Sequence, residues 1–273
     1  MLVNLHLLRF FAALPVLAYH TAEHVWASGV PKGGWLYANH LAGFGGVDGF
    51  FVISGFIIWH TTHEEHGPGA AWCFLRRRIA RTFSGYWPFL LLSLLLLYLY
   101  HPQLLAQRDW LLSSTLIPNP AATTSQLLPG RLSLPVAWTL IYEVYFYLAF
   151  GLLIVFRRQA KIGLIAMAAA VVVSAGGYAV YTGIFATGRL LDTTLLFTFY
   201  LSPYGLEFLA GCLLGEVYRR YTIRWPLAWL LFGVAMTVVI GWVNARWFGG
   251  QLNLGYYAPT RVLLFIAAAV GYV

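Results

Sequence analysis

The chain has 273 residues, of which 60% are hydrophobic and only 10% are charged, whereas about a quarter of the residues are charged in a typical soluble domain. Its net charge of +8 would suggest nucleic-acid binding in a soluble protein, but lysines and arginines of membrane proteins collect in cytoplasmic loops. We therefore predict an all-α polytopic transmembrane helix bundle without a nucleic-acid partner.

Eight apolar segments are long enough, or nearly so, for the ~20 residues that a helix needs to cross a bilayer. They cover residues 5–26, 44–60, 83–101, 135–156, 162–182, 194–217, 226–244 and 257–273. An N-terminus in the cytoplasm puts ten of the 17 basic residues in or beside cytoplasmic loops: Arg76, Arg77, Arg78, Arg81, Arg157, Arg158, Lys161, Arg219, Arg220 and Arg224. We predict one domain from 1 to 273, shortened at its C-terminus because the last segment has no polar flank.

The first segment carries Arg9 and His20 inside an apolar run. They are eleven residues apart, which at about 100° per residue returns to nearly the same helix face. Ionisable groups in a membrane segment usually face a bundle interior or an aqueous cavity, so both are candidate catalytic residues. Alternatively, Arg9 reaches the cytoplasmic headgroups and His20 is a buried structural imidazole.

The second segment combines the carboxylate of Asp48 with Ser54 and several glycines. Asp48 is a candidate catalytic group, whereas the glycines serve equally well for close helix packing. Beyond this segment His60, His63 and His66 stand at intervals of three residues. No metalloenzyme pattern such as H-E-x-x-H accompanies these histidines, so we predict a solvated loop that binds no metal.

An arginine cluster that includes Arg77, Arg78 and Arg81 precedes the third segment. Arg78 and Arg81 are three residues apart and therefore share a helix face. Guanidinium groups at the cytoplasmic start of a helix suit phosphates, such as those of a nucleotide-containing acyl donor. Contact with lipid headgroups, or orientation of the chain alone, is the alternative.

Two later features complete the set of candidates. The connection 102–134, predicted outside, holds four prolines, which favour turns over a long helix, and it could form a partial lid over an outward-facing site. Glu143 lies among aromatic residues of the fourth segment, where a carboxylate needs a partner to stay charged. Glu143 is a candidate catalytic residue, or alternatively half of a structural ion pair, and Glu207 is a further carboxylate within an apolar segment.

Together these features resemble the acyltransferase 3 family, integral membrane enzymes that acylate polysaccharides, lipopolysaccharide and peptidoglycan. The resemblance covers residues 1–150 and is only a succession of apolar helices beyond them. Members usually have about ten helices, and a proline usually stands where this chain has Ser84 and Gly85. Four motifs carry the resemblance, in chain order: Arg9-x10-His20; G-V-D-x-F-F-V-x-S-G-F from Gly46 to Phe56; Arg77-Arg78-x-x-Arg81 followed by Tyr86-Trp87; and W-T-L-x-x-E-x-x-F-Y from Trp138 to Tyr147.

The resemblance implies a bacterial cytoplasmic (inner) membrane enzyme that moves an acyl group, most commonly acetyl, to a hydroxyl of an extracytoplasmic glycan or lipid-linked glycan. The donor implied is acetyl-CoA or another acyl-CoA, a substrate rather than a tightly bound cofactor. By the same resemblance, Arg77, Arg78 and Arg81 hold the phosphates of the donor at the cytoplasmic side.

The resemblance also assigns roles to the other candidates. His20 is expected to act as general base on the acceptor hydroxyl, because imidazole titrates near neutrality. Either Asp48 or Glu143 would orient it, and Arg9 would assist the donor or stabilise developing negative charge. A covalent acyl-histidine or acyl-serine route stays open.

Two other classes of function remain open at this stage. In a transporter, Arg9, Asp48, Glu143 and Glu207 would line an ion or substrate path through the bundle. Such a protein would move a small anionic or glycan-derived substrate without consuming an acyl donor. The third possibility is a scaffold without catalytic activity.

Overall fold

The structure, a computed structural model, describes residues 2–30, 45–118, 132–181 and 199–221 and scattered positions between 228 and 242. These residues form helices and connections with no strand among them, which confirms the predicted all-α class. The eight α-helices that can be given bounds are α1 (Leu2–Ala27), α2 (Gly45–Thr62), α3 (Pro68–Tyr100), α4 (Pro102–Leu105), α5 (Trp110–Thr115), α6 (Trp138–Ile154), α7 (Arg158–Tyr181) and α8 (Pro203–Arg220), and a 3-10 turn, Pro135–Ala137, precedes α6.

The chain divides into two compact units. Unit 1 consists of residues 1–61 and 203–273 and contains α1, α2 and α8. Unit 2 consists of residues 62–202 and contains the other helices. The single domain that the sequence predicts from 1 to 273 stays a prediction.

In unit 1, α2 and α8 pack backbone against backbone. A Cβ atom on Gly55 would overlap the carbonyl of Phe208, and one on Gly211 would overlap the carbonyl of Val52. One turn further along both helices, a Cβ on Gly215 would lie 3.0 Å from the Trp59 ring. Residue numbers rise together along the contact, so α2 and α8 run parallel. Two glycines four residues apart, as in Gly211-x3-Gly215, are typical of close packing between membrane helices.

In unit 2, α3 and α6 form an antiparallel pair that is held by side chains. At one end the Gly67 amide donates to the Ile154 carbonyl (3.1 Å), where Gly67 adopts a φ of 94° just before Pro68 begins α3. Further along, the Phe74 ring packs against the rings of Tyr147 and Phe150. Aromatic side chains therefore fill the contact between α3 and α6, whereas in unit 1 glycines let the two backbones touch.

Helix α3 is longer than the apolar segment 83–101 predicted from the sequence. It begins at Pro68, so the arginine cluster lies about two turns inside the helix and not at its start. The prediction of the helix start was wrong because hydropathy marks only the apolar part of a helix. Arginine and alanine are themselves good helix formers and extend it.

The connection after α3 turns back along that helix. The Tyr86 hydroxyl donates to the Ser113 carbonyl (2.5 Å), and the Ser93 hydroxyl donates to the Ser133 carbonyl (2.5 Å). Tyr86 is roughly 20 Å from the end of α3 at Tyr100, so α5 packs beside the middle of the helix. In its described part the connection contains only short helices, as its prolines predicted, while its role as a lid stays a prediction.

Within the described residues, α3 is the one helix both long and apolar enough to cross a membrane, and α6 is a shorter apolar helix. The predicted segments 5–26, 44–60, 135–156 and 162–182 each coincide with a helix of the structure. The segment 257–273 lies outside the described residues.

Candidate active site

Arg9 and His20 lie on the face of α1 that packs against α2. A Cβ on Gly46 of α2 would overlap the carbonyl of Ala12 and lie 2.8 Å from a methyl group of Val16. Positions 9, 12, 16 and 20 share one helical face, at spacings of three, four and four residues. The two sequence-predicted residues therefore stand on opposite sides of the crossing point of α1 and α2, and both are partly buried.

Asp48 lies at this crossing, two residues after Gly46, and its side chain is fully buried. It also lies four residues before Val52, on the face of α2 that contacts α8. A buried carboxylate requires polar or cationic neighbours to stay charged. A Cβ on the next residue, Gly49, would lie 3.9 Å from the Cβ of Ala12, so Asp48 lies near the level of Ala12, about one turn from Arg9 and about two turns from His20.

Glu207 occupies the matching position on α8. It is buried and lies four residues before Gly211, the glycine whose Cβ would overlap Val52, just as Asp48 lies four residues before Val52. Because α2 and α8 run parallel, the two carboxylates lie on facing surfaces of the helix pair, within about one turn of each other. The ring contact between Phe51 and Tyr204 at 5.0 Å agrees with the parallel direction of the two helices. The sequence shows Glu207 as a carboxylate but does not pair it with Asp48.

In unit 2, Glu143 and Arg78 come together around Tyr147. The Tyr147 hydroxyl donates to the Glu143 carboxylate in a short hydrogen bond within α6. The Arg78 guanidinium lies 5.7 Å from the centres of both the Tyr147 and the Phe74 rings, a cation–π geometry. Thr82, one turn beyond Arg78, also reaches the Tyr147 oxygen. A carboxylate and a guanidinium from two helices therefore share one aromatic residue, and Tyr147 was missed as a functional candidate although it ends the fourth motif.

The three predicted donor-binding arginines do not share one environment. Arg78 is partly buried and faces α6, near the middle of that helix, whereas Arg77 and Arg81 are exposed. Arg77 and Arg81 are four residues apart and share the exposed face of α3. Arg78 and Arg81, which are three residues apart, therefore differ in exposure, and the role of the three arginines in donor binding stays a prediction.

A lysine organises the turn between α2 and α3. The ammonium group of Lys161, at the start of α7, donates to the carbonyls of Thr62 (3.0 Å), His63 (2.9 Å) and Glu65 (2.8 Å). Lys161 is fully buried, and burial lowers its pKa while Glu64 and Glu65 oppose this effect. A cation with three donors is well suited to the orphan carbonyls at the end of a helix. In the sequence, Lys161 is recognisable only as a basic residue of a predicted cytoplasmic loop.

The histidines of this turn have other partners. The His63 ring approaches Glu64 at 3.4 Å, and the ring of His60 stacks on Phe56 at 5.9 Å. Arg158 also approaches Glu64, at 3.6 Å. In the part of the chain that the structure describes, no three His, Cys, Asp or Glu side chains are arranged to hold a metal ion.

The candidate residues thus form two groups, one in each unit. Unit 1 holds Arg9, His20 and Asp48, with Glu207 on the facing surface of α8. Unit 2 holds Glu143 with Arg78, Tyr147 and Thr82, and the exposed pair Arg77 and Arg81. The first group offers an imidazole and carboxylates for proton transfer, and the second offers fixed positive charge and a hydrogen-bonded phenol.

Comparison with known proteins identifies the chain. The family model of the acyltransferase domain (acyltransferase 3 family) matches residues 2–273. A curated relative, the exopolysaccharide production protein ExoZ of Rhizobium meliloti (strain 1021), is 27% identical over 188 residues, which are 68% of this chain and 54% of the relative. The chain thus spans about half the length of that relative, and no solved structure matches it significantly. The chain belongs to the acyltransferase 3 family.

Proposed function

Because the chain belongs to this family, we propose that it is a polytopic membrane enzyme that transfers an acyl group from acyl-CoA to a hydroxyl of a glycan outside the cytoplasm. The family match over residues 2–273, which contain all four motifs, is the observation that carries the proposal. Acetyl is the acyl group we expect, because it is the family's commonest. The name of the relative, an exopolysaccharide production protein, favours a polysaccharide or its lipid-linked precursor as acceptor.

The orientation of the helices supports a multi-pass arrangement. If α1, α2, α3, α6, α7 and α8 cross the membrane in turn from an N-terminus inside, α2 and α8 both run inward and are parallel, as the glycine contacts require. The basic residues Arg219 and Arg220 then end α8 at the cytoplasmic side, in agreement with the positive-inside rule. We propose the bacterial cytoplasmic membrane as the location.

His20 is the proposed general base. Its imidazole takes the proton of the acceptor hydroxyl, the oxygen forms a bond to the thioester carbonyl carbon, and the carbon–sulfur bond breaks. The departing thiolate takes the proton back from the imidazolium. Asp48, on the helix that crosses α1 between Arg9 and His20, is the proposed partner that stabilises the imidazolium. Arg9 on the same face is suited to the negative charge that develops on the carbonyl oxygen.

In this proposal Glu143 does not orient His20, and its role is close to the structural pair that the sequence left open. Its carboxylate accepts the Tyr147 hydroxyl, and the same aromatic ring contacts Arg78. We expect this group to hold Arg78 in position, because a guanidinium in an apolar bundle needs a carboxylate and aromatic faces near it. Arg77 and Arg81, which are exposed on α3, are then the arginines that contact the donor phosphates directly, and Arg78 adds its fixed positive charge beside them.

The first test measures transfer of radiolabelled acetyl from acetyl-CoA into polysaccharide and lipid fractions of membranes that contain the full chain. His20→Ala is expected to lower the incorporation by at least about 100-fold, the usual contribution of a general base. His66→Ala is the matched control, because His66 lies on the exposed turn between α2 and α3 and has no proposed role. Equal incorporation by the wild type and His20→Ala would contradict the proposal.

The same assay distinguishes the proposed role of Asp48 from that of Glu143. Asp48→Asn is expected to reduce the maximal rate strongly, because the imidazolium loses its partner, with little change in the KM for acetyl-CoA. Glu143→Gln is expected to raise the KM for acetyl-CoA more than it lowers the rate, because it acts through Arg78. Flux of a labelled glycan across proteoliposomes without an acyl donor, together with no acetyl transfer, would favour a transporter.

A further inference from the structure

The cytoplasmic end of the α2–α8 pair contains a carboxylate that the proposed reaction does not use. Glu216 is buried, with a side chain that is 7% exposed. Its Oε2 atom accepts a hydrogen bond from the indole of Trp59 (3.1 Å) and contacts Nε of Arg219 (3.5 Å). Its Oε1 atom accepts a hydrogen bond from Nε of Arg220. One buried carboxylate thus holds two consecutive arginines of α8.

Each arginine approaches Glu216 through its Nε atom, and each guanidinium group also carries further donors at its terminal Nη nitrogens. Arg219 is 31% exposed and Arg220 is 51% exposed, so both forks reach solvent. Two positive charges against one carboxylate leave a net charge of +1. Fixed forks of this kind lose little side-chain entropy when they bind a planar or tetrahedral anion.

A simple role at a helix end does not require this arrangement. Arginines in the last turn of α8 complement the helix dipole even when they are mobile, and an i to i+4 pair at the surface contributes little. Here the carboxylate is buried and is itself anchored by Trp59 across the helix pair. Burial of a carboxylate is unfavourable unless the surrounding groups require its charge. The arrangement therefore serves the orientation of the arginines.

We propose that Arg219 and Arg220, oriented by Glu216 and Trp59, form a phosphate-binding site at the end of α8. The paired forks match phosphate oxygens, and the exposed position admits either a soluble phosphate compound or the headgroup of a lipid. The nucleotide end of the acyl donor is one source of such a phosphate, and in that form the inference rests on the proposed function. An anionic phospholipid of the inner leaflet is the other source.

The test uses the full chain in nanodiscs of neutral phosphatidylcholine, with coenzyme A and inorganic pyrophosphate as probes in titration calorimetry. The double variant Arg219→Gln/Arg220→Gln is expected to weaken binding of a phosphate probe about tenfold, since charge-assisted hydrogen bonds are lost. Arg219→Lys/Arg220→Lys keeps the charge but loses the forks, so its affinity should fall between the two. Arg157→Gln removes an exposed arginine of the turn before α7 and is expected to leave binding within about twofold of the wild type.

A second arm uses nanodiscs that contain phosphatidylglycerol and measures the rise in melting temperature that this lipid causes. Loss of that rise in the double glutamine variant, with coenzyme A binding unchanged, identifies the lipid as the source. Weaker binding of coenzyme A identifies the nucleotide. If the double variant equals the wild type in both arms, the site does not exist.

The two proposals can fail separately. Wild-type protein that binds no coenzyme A and transfers no acetyl, but loses its lipid response in the double variant, contradicts the acyl-CoA donor and supports the phosphate site. Wild-type protein that transfers acetyl, with double-variant binding and melting unchanged, supports the enzyme and overturns the site.

Discussion

The helix pairs α2–α8 and α3–α6 are held together by different kinds of contact. In α2–α8, glycines bring the two backbones together, and the Cβ that any other residue would add at Gly55 or Gly211 overlaps a carbonyl. In α3–α6, aromatic rings and Arg78 fill the contact, with a glycine only at Gly151. Backbone contact tolerates no added atom, whereas contact through side chains can adjust its rotamers.

This difference separates residues that shape the fold from residues that carry charge. The glycine contact sets the register of α2 against α8, and that register places Asp48 and Glu207 on facing surfaces within about one turn of each other. The side-chain contact between α3 and α6 instead places Arg78 beside Tyr147 and Glu143. We expect substitutions in the first pair to change stability and activity together, and substitutions in the second pair to change activity more.

The largest effect is expected for Gly211→Ala. The added methyl group would overlap the Val52 carbonyl and approach the Phe56 amide at 2.9 Å, so α2 and α8 must separate, at an estimated cost of about 3 kcal/mol. Gly163→Ala, where a methyl group meets nothing within 4 Å, should instead stabilise α7 by roughly 0.5–1 kcal/mol. Thermal unfolding of both variants in detergent measures the contrast. Equal melting temperatures for the two would show that backbone contact does not hold α2 to α8.

Lys161→Met tests whether unit 2 depends on side chains at its edge as well as in its centre. The methionine keeps the apolar stem but removes the ammonium donor from the carbonyls of Thr62, His63 and Glu65, of which the Thr62 carbonyl keeps the Glu65 amide as donor. We expect the free energy of unfolding to fall by about 2 kcal/mol, a typical penalty for buried unsatisfied groups. Arg157→Met, in the exposed turn before α7, should change it by less than about 0.5 kcal/mol. A larger loss for Arg157→Met than for Lys161→Met would refute this account.

Tyr147→Phe addresses the centre of the α3–α6 contact. The ring and its contact with Phe74 remain, but the hydrogen bond to Glu143 is lost, so stability should fall by only about 1 kcal/mol. The KM for acetyl-CoA should nevertheless rise severalfold, because Glu143 no longer helps to position Arg78 through Tyr147. Tyr98→Phe at an exposed position of α3 should change neither quantity. An unchanged KM in Tyr147→Phe would separate this group from the donor.

The smallest effect is expected for Ser93→Ala in α3. It removes the hydrogen bond to the Ser133 carbonyl that helps hold the connection after α3 against the helix. Stability should fall by roughly 0.5–1 kcal/mol, while limited proteolysis between residues 101 and 118 becomes faster. Ser174→Ala on an exposed face of α7 is the control and should leave the cleavage rate unchanged.

The helices themselves could be predicted from the sequence because apolar runs of sufficient length are a local property. Helices α1, α2, α6 and α7 coincide with predicted segments, and the helical class follows from the same runs. The start of α3 at Pro68 was missed, since a helix continues through Arg76 to Arg81 although no apolar run does. That Arg9 and His20 share a face of α1 also follows from the sequence, because their spacing along one helix is a local property. The structure shows that this face is the one that meets α2.

The amino-acid sequence alone determined which residues can ionise inside apolar helices and which family motifs they form. Only the tertiary structure decided which helices bring these residues together: Asp48 on the surface of α2 that faces Glu207, Arg78 beside Tyr147, Lys161 on the carbonyls at the end of α2, and Glu216 with Trp59. Pairing of this kind depends on where two backbones come close. That approach is set by contacts between positions as distant in sequence as Val52 and Gly211, which no local pattern records.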